Sequence, residues 1–120
     1  MKVVIRRIYD TAGTNEQETY RVLVDRLWPR GVRKADLQYE AWEKDLAPSP
    51  ELRKWFGHDP KRWDEFGKRY RKELASKESQ QRLAALLAAA ADRDITLLYG
   101  ARDPKHNHAL VLAKELERLY

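Results

Sequence analysis

Two stretches of the chain are apolar on consecutive residues rather than alternate ones, YRVLVDRL over 20–27 and ITLLY over 95–99. A half-solvated strand alternates its side chains between core and water, so an uninterrupted run predicts a strand covered on both faces. Strands of that kind belong to parallel sheets, whose crossovers need helical length. The sequence supplies that length. Ser49-Pro50, Asp59-Pro60 and Asp103-Pro104 each set a side-chain acceptor just ahead of a proline, the grammar of a helix start. After them Leu52, Trp55 and Phe56, then Trp63, Phe66, Tyr70 and Leu74, then Leu112, Leu116 and Leu119 recur at helical spacing. An alanine-rich segment over 77–91 predicts one more helix, packed through Leu83, Leu86, Leu87 and Ala90. Val3 to Ile8 reads as a first strand, TAGTNEQET as a polar loop, and Leu37 to Ala41 as a short half-buried strand anchored by Trp42. The expectation is an α/β fold, a mainly parallel sheet flanked by helices in Rossmann-like layering.

At 120 residues the chain suits one domain over 1–120 and is too short for two comfortable cores. It has no cysteine, which excludes disulfides, thiolate nucleophiles and cysteine-ligated metals and fits a reducing, cytoplasmic setting. MKVVIRRIYD is too short in apolar residues for a secretory h-region, and no window suits a membrane span, so a soluble protein without a membrane partner is expected. Lys and Arg number 24 against 19 Asp and Glu, a net charge of +5 that favours anions without naming one.

Chemistry is expected where the two apolar runs stop, since ligands of open α/β sheets sit beyond the carboxyl ends of strands. The first run ends in Asp25, Arg26, Trp28, Arg30 and Gly31; the second is followed by Arg102, Asp103, Asn107 and His108. If the strands are neighbours, these residues face one cleft. Arg26, Arg30 and Lys44 would grip a small phosphate- or carboxylate-bearing ligand, with Trp28, Ser49 and Asn107 as further contacts. His108 and Asp25 are the candidates for proton handling, Asp25 also by orienting an arginine. Each has a plainer role available: Asp25 in a pair with Arg26, Arg6 or Arg7, Trp28 and His108 in packing, Ser49 and Asp103 as caps. His106 and His108 diverge on a helix and lack a third strong ligand, so no metal is expected. No phosphate loop, dinucleotide fingerprint or nucleophile elbow occurs, and no cofactor is indicated. Two other functions remain open: nucleic-acid association through the basic segment 62–72 with Trp28 or Trp63 for stacking, and a non-enzymatic protein-interaction module.

Three ordered motifs, YRVLVDRLWPRGV, AWEKDLAPSPELRKWFGHDPKRWDEFGKRYRKEL and ITLLYGARDPKHNHALVLAKEL, resemble the YeaO-like branch of domain of unknown function 488 over nearly the whole chain. The resemblance implies a small bacterial or archaeal α/β protein and no particular reaction. The positions that match the family's motifs are Asp25, Arg26, Trp28, Pro29, Arg30, Gly31, Trp42, Lys44, Pro48, Ser49, Asn107, His108 and Ala109. Broader members carry a cysteine in the final strand and Cys-His-Arg at the last helix. Here those stretches read Tyr99-Gly100 and Asn107-His108-Ala109, so His108 alone of that trio is kept and no thiol is present.

Overall fold

A computed structural model of the chain describes residues 1–10 and 19–120. The sheet is parallel throughout, with β1 (Val3–Arg7), β2 (Tyr20–Leu23), β3 (Ala41–Trp42) and β4 (Ile95–Tyr99) in the order β1-β4-β2-β3. Four α-helices follow the strands: α1 (Pro50–Phe56), α2 (Trp63–Leu74), α3 (Lys77–Ala90) and α4 (His108–Leu119). Both continuous apolar runs form the two central strands, and every residue of β2 and β4 is buried. None of the described helices is long and apolar enough to cross a membrane.

The two faces of the sheet are covered differently. Tyr20, Val22, Val24, Ile95, Leu97 and Tyr99 meet inward residues from all four helices in one large core, including Phe56, Phe66, Tyr70, Leu83 and Leu112. On the opposite face the buried apolar cluster among the described residues is Ile8, Leu23, Leu37 and Leu98, sealed by Trp28, Val32, Tyr39 and Trp42, with Arg21 and Thr96 also buried. A connecting segment replaces the second helical layer there: residues 24–40, between β2 and β3, form one 3-10 turn and supply Trp28, Val32, Leu37 and Tyr39 to this face.

The three acceptor-proline starts diverge. Ser49 accepts from the Leu52 N–H and opens α1, which Gly57 closes in the left-handed region at φ 53°. Asp59 caps a 3-10 turn over Pro60–Arg62 that runs into α2. Asp103 opens no helix: it accepts from Lys105 N–H at 2.8 Å within a turn, and α4 starts later, capped by Asn107. The cap moves because Asn107 does two jobs, accepting from Leu110 N–H and donating Nδ2 to the Asp103 carbonyl at 2.9 Å. Two strand boundaries also move. β2 ends at Leu23, although Val24 N–H still bonds the Leu98 carbonyl, and Leu27 is 64% exposed. The third strand lies at Ala41–Trp42 rather than 37–41, since Lys34–Asp36 forms a 3-10 turn and Leu37 faces the smaller core. The TAGTNEQET loop falls outside the described residues except for Thr19.

Candidate functional site

The side-by-side pairing of β2 with β4 brings their carboxyl ends together. Beyond them opens a cleft of about 300 Å³. Asp25, Arg26, Trp28 and Arg30 line it from the β2 exit, Asn107 and His108 from the start of α4, and Arg53, Phe56 and Phe66 from α1 and α2.

At its floor Asp25 and His108 face each other. Asp25 Oδ2 accepts the Gly100 N–H at 2.9 Å, which fixes the carboxylate against the β4 exit. A side chain on Gly100 would place Cβ 2.8 Å from that oxygen, so the close approach requires glycine. His108 Nε2 lies 2.9 Å from the Val24 carbonyl oxygen, which can only accept, so Nε2 carries the proton. Asp25 Oδ1 lies 3.4 Å from the same nitrogen and has no hydrogen-bond partner of its own. Burial pushes the Asp25 carboxyl above its ordinary range, against the imidazole of His108, the Gly100 N–H and the Arg53 guanidinium. Burial likewise lowers the His108 imidazole, against Asp25 and the Val24 carbonyl, with Arg53 and His58 adding to the lowering. Both directions disfavour the fully ionised pair, as expected for two charges in a poorly solvated floor. Asp25 thus lies beside an imidazole rather than in an arginine pair: Arg26 bonds backbone carbonyls, and Arg7 Nε donates to the Ala101 carbonyl.

The cations divide between structure and opening. Arg26 donates Nε to the Pro48 carbonyl and Nη2 to the Ala47 carbonyl, both at 3.2 Å, and so ties the loop before α1 to the β2 exit. Arg30 and Arg53 are exposed, and neither side chain has a hydrogen-bonded or ion-paired partner among the described residues. Trp28 borders the cleft, but its Nε1 donates to the Val32 carbonyl and its ring meets Tyr39 and Trp42 edge-on at 5.6 and 5.5 Å. It is a wall of the loop more than a stacking platform. Asn107 touches the cleft with both its oxygen and its nitrogen already bonded.

Two candidates lie elsewhere. Lys44 does not line the cleft, and its Nζ lies 5.3 Å from the centroid of the Trp42 ring. Ser49 is a cap whose hydroxyl donates to Glu73 Oε2 at 2.6 Å. Conversely, Arg53, His58, His106, Phe56, Phe66 and Gly100 line the cleft without having been singled out for it. Arg53 and Phe56 reach the cleft from α1, whose lead-in Ala47-Pro48 is tied to the β2 exit by Arg26. His106 is held to Asp103 at 2.7 Å and meets Trp63 edge-on. Among the described residues no group of three His, Cys, Asp or Glu side chains could hold a metal ion.

A model of a family described as the inactive DUF488-N3 subclade matches residues 2–120. Uncharacterized protein YeaO of Escherichia coli is 43% identical over 120 residues, covering 99% of this chain and all of that protein. Uncharacterized proteins Mb3100c of Mycobacterium bovis and Rv3073c of Mycobacterium tuberculosis are each 39% identical over 115 residues, 96% of this chain and 93% of theirs. No solved structure matches at a significant level.

Proposed function

The chain belongs to the inactive DUF488-N3 subclade, and from that premise we propose that its cleft binds a small phosphate- or carboxylate-bearing ligand without turning it over. One observation carries the reading. Arg30 and Arg53 flank the opening without a carboxylate partner among the described residues, and the sole acid lining the cleft, Asp25, is turned toward Gly100 and His108. Guanidinium groups left open at a concave mouth favour an anion, and the apolar walls strengthen the attraction by excluding water. Asp25 and His108 set a carboxyl beside an imidazole, the kind of pair a catalyst would use. The family's description as inactive favours binding over turnover. A cytoplasmic location is part of the same reading, resting on the lack of cysteine.

The experiment is a thermal-shift titration with inorganic phosphate, phosphate monoesters and carboxylates. A ligand at about 100 times its Kd adds about 2.7 kcal/mol to the folded state. The shift should disappear in Arg30→Ala and Arg53→Ala and survive in Lys68→Ala, whose side chain lies on a separate groove between α2 and α4. No shift with any anion, or equal loss in all three variants, would overturn the reading.

A further inference from the structure

The floor and the mouth of the cleft ask for different groups on a ligand. At the mouth stand the exposed Arg30 and Arg53. Below them Phe56 and Phe66 stack with ring centroids 4.3 Å apart, and Ala47, Pro48 and Ala101 continue an apolar wall. At the floor lies Asp25 Oδ1, a buried carboxylate oxygen with no hydrogen-bond partner.

That oxygen is an unmet acceptor. The Gly100 N–H is directed to Oδ2 and the proton on His108 Nε2 to the Val24 carbonyl, leaving Oδ1 at 3.4 Å from that nitrogen. The remaining polar groups around the pair do not reach it: the Tyr70 hydroxyl donates to the Leu46 carbonyl, and Arg53 is an exposed side chain at the opening. Buried carboxylate oxygens are seldom left without a donor, because losing water there costs more than most hydrogen bonds return.

We propose that the ligand is bipolar, with its anionic group held by Arg30 and Arg53, a ring-sized apolar body against Phe56 and Phe66, and a hydroxyl or N–H donating to Asp25 Oδ1. This deepens the anion-binding reading and rests on it. The ligand class is then a carboxylate or phosphate joined through an apolar frame to a hydrogen-bond donor. A site built around an unmet buried acceptor favours a ligand that brings a donor over an analogue that lacks one, because only the former returns a hydrogen bond to the oxygen.

Calorimetry with matched probes tests it on the intact protein: benzoate, 4-hydroxybenzoate and 4-methoxybenzoate, alongside phenyl phosphate and 4-hydroxyphenyl phosphate. The hydroxylated member of each set should bind about tenfold tighter or more than its parent, and the methoxy compound no tighter than benzoate. In Asp25→Ala the preference should shrink to about twofold or less, while the parent anions keep their dependence on Arg30. Equal affinities across each set in the wild-type protein would overturn the donor inference and leave the anion reading standing. So would a methoxy compound that matches the hydroxyl, or a preference that survives Asp25→Ala. Failure of every probe to bind would overturn both. The wild-type series decides the matter even if Asp25→Ala does not fold.

Discussion

The loop over 25–31 and helix α2 are both rich in cations and both contain a tryptophan, yet the loop sends its cations to the cleft at the strand exits, whereas Lys68 and Arg71 of α2 line a separate groove against α4. On α2 Arg69 pairs with Glu65 at 3.2 Å and lies 4.1 Å from the Trp55 ring centroid. Arg62, just before α2, lies over the same ring and donates to the Trp55 carbonyl. Trp63 stacks on Phe66 and meets His106 edge-on. In the loop, Arg26 is tied to backbone carbonyls and Arg30 is left open beside an acid that faces away from it. Arg69 is answered by an indole and a carboxylate, whereas Lys68 and Arg71 line the groove between α2 and α4. What differs is the setting of the charge: the loop places Arg30 in the cleft at the strand exits, and α2 presents its cations along a helix face.

Phe66 joins the two regions, since it belongs to α2 and forms a wall of the cleft. It is 2% exposed and stacks on both Phe56 and Trp63. Phe66→Ala should lower stability in urea unfolding by about 3–5 kcal/mol, the usual range for emptying an aromatic site in a core. Anion affinity should fall with it. A loss under about 1 kcal/mol would mean that the cleft collapses freely and is not a preformed hollow.

Two glycines separate the regions more sharply. Gly100→Ala would drive Cβ to 2.8 Å from Asp25 Oδ2, a carboxylate already anchored at the floor. Overpacking of that kind costs about 1–3 kcal/mol, and the anion response should go with it. Gly67→Ala on α2 would meet the tip of the Arg71 side chain at 3.1 Å, a group that can swing away. Helix propensity then favours alanine by about 1 kcal/mol, so this variant should be neutral to stabilised and bind anions normally. Similar losses in both variants, measured by urea unfolding, would erase the distinction between a built floor and a solvated face.

The sequence made the sheet legible because burial on both faces leaves a plain mark, two apolar runs without alternation. It also made the meeting of Asp25, Arg30 and His108 legible, through the rule that ligands gather at strand exits. Other features were hidden for physical reasons. Arg53 reaches the cleft because of how α1 is seated, and helical periodicity says nothing about that seating. Asn107 outcompeted Asp103 as a cap through a bond to a carbonyl four residues earlier, which depends on the turn geometry. Nothing local to Gly100 shows that it lets the Asp25 carboxylate, from the exit of a different strand, come close. Lys44 sits near the cleft in sequence logic, but the indole of Trp42 offers it a nearer partner.

Acid titration probes the same contrast more gently. At the cleft floor two buried groups set the response. His108, packed by Asp25 from the β2 exit, Arg53 from α1, the His58 loop and the Tyr70 ring of α2, is held below the ordinary value of 6.5 by burial. As pH falls below that value the unfolded chain takes up a proton that the folded chain resists, so stability declines on acidification. Asp25 acts in the opposite sense. Its carboxyl is raised above 3.8, so the folded state takes up a proton before the unfolded state does, and at lower pH this offsets part of the loss. The His108 contribution should therefore dominate the first part of the descent, from about pH 7 to about pH 6, with a slope of at most about 1.4 kcal/mol per pH unit. His108→Gln should flatten that segment of a stability-versus-pH curve measured by urea unfolding, whatever it does to absolute stability. A variant that keeps the full slope would show that the imidazole at the floor is not the group that titrates, and would remove the reason to treat the floor as electrostatically distinct from α2.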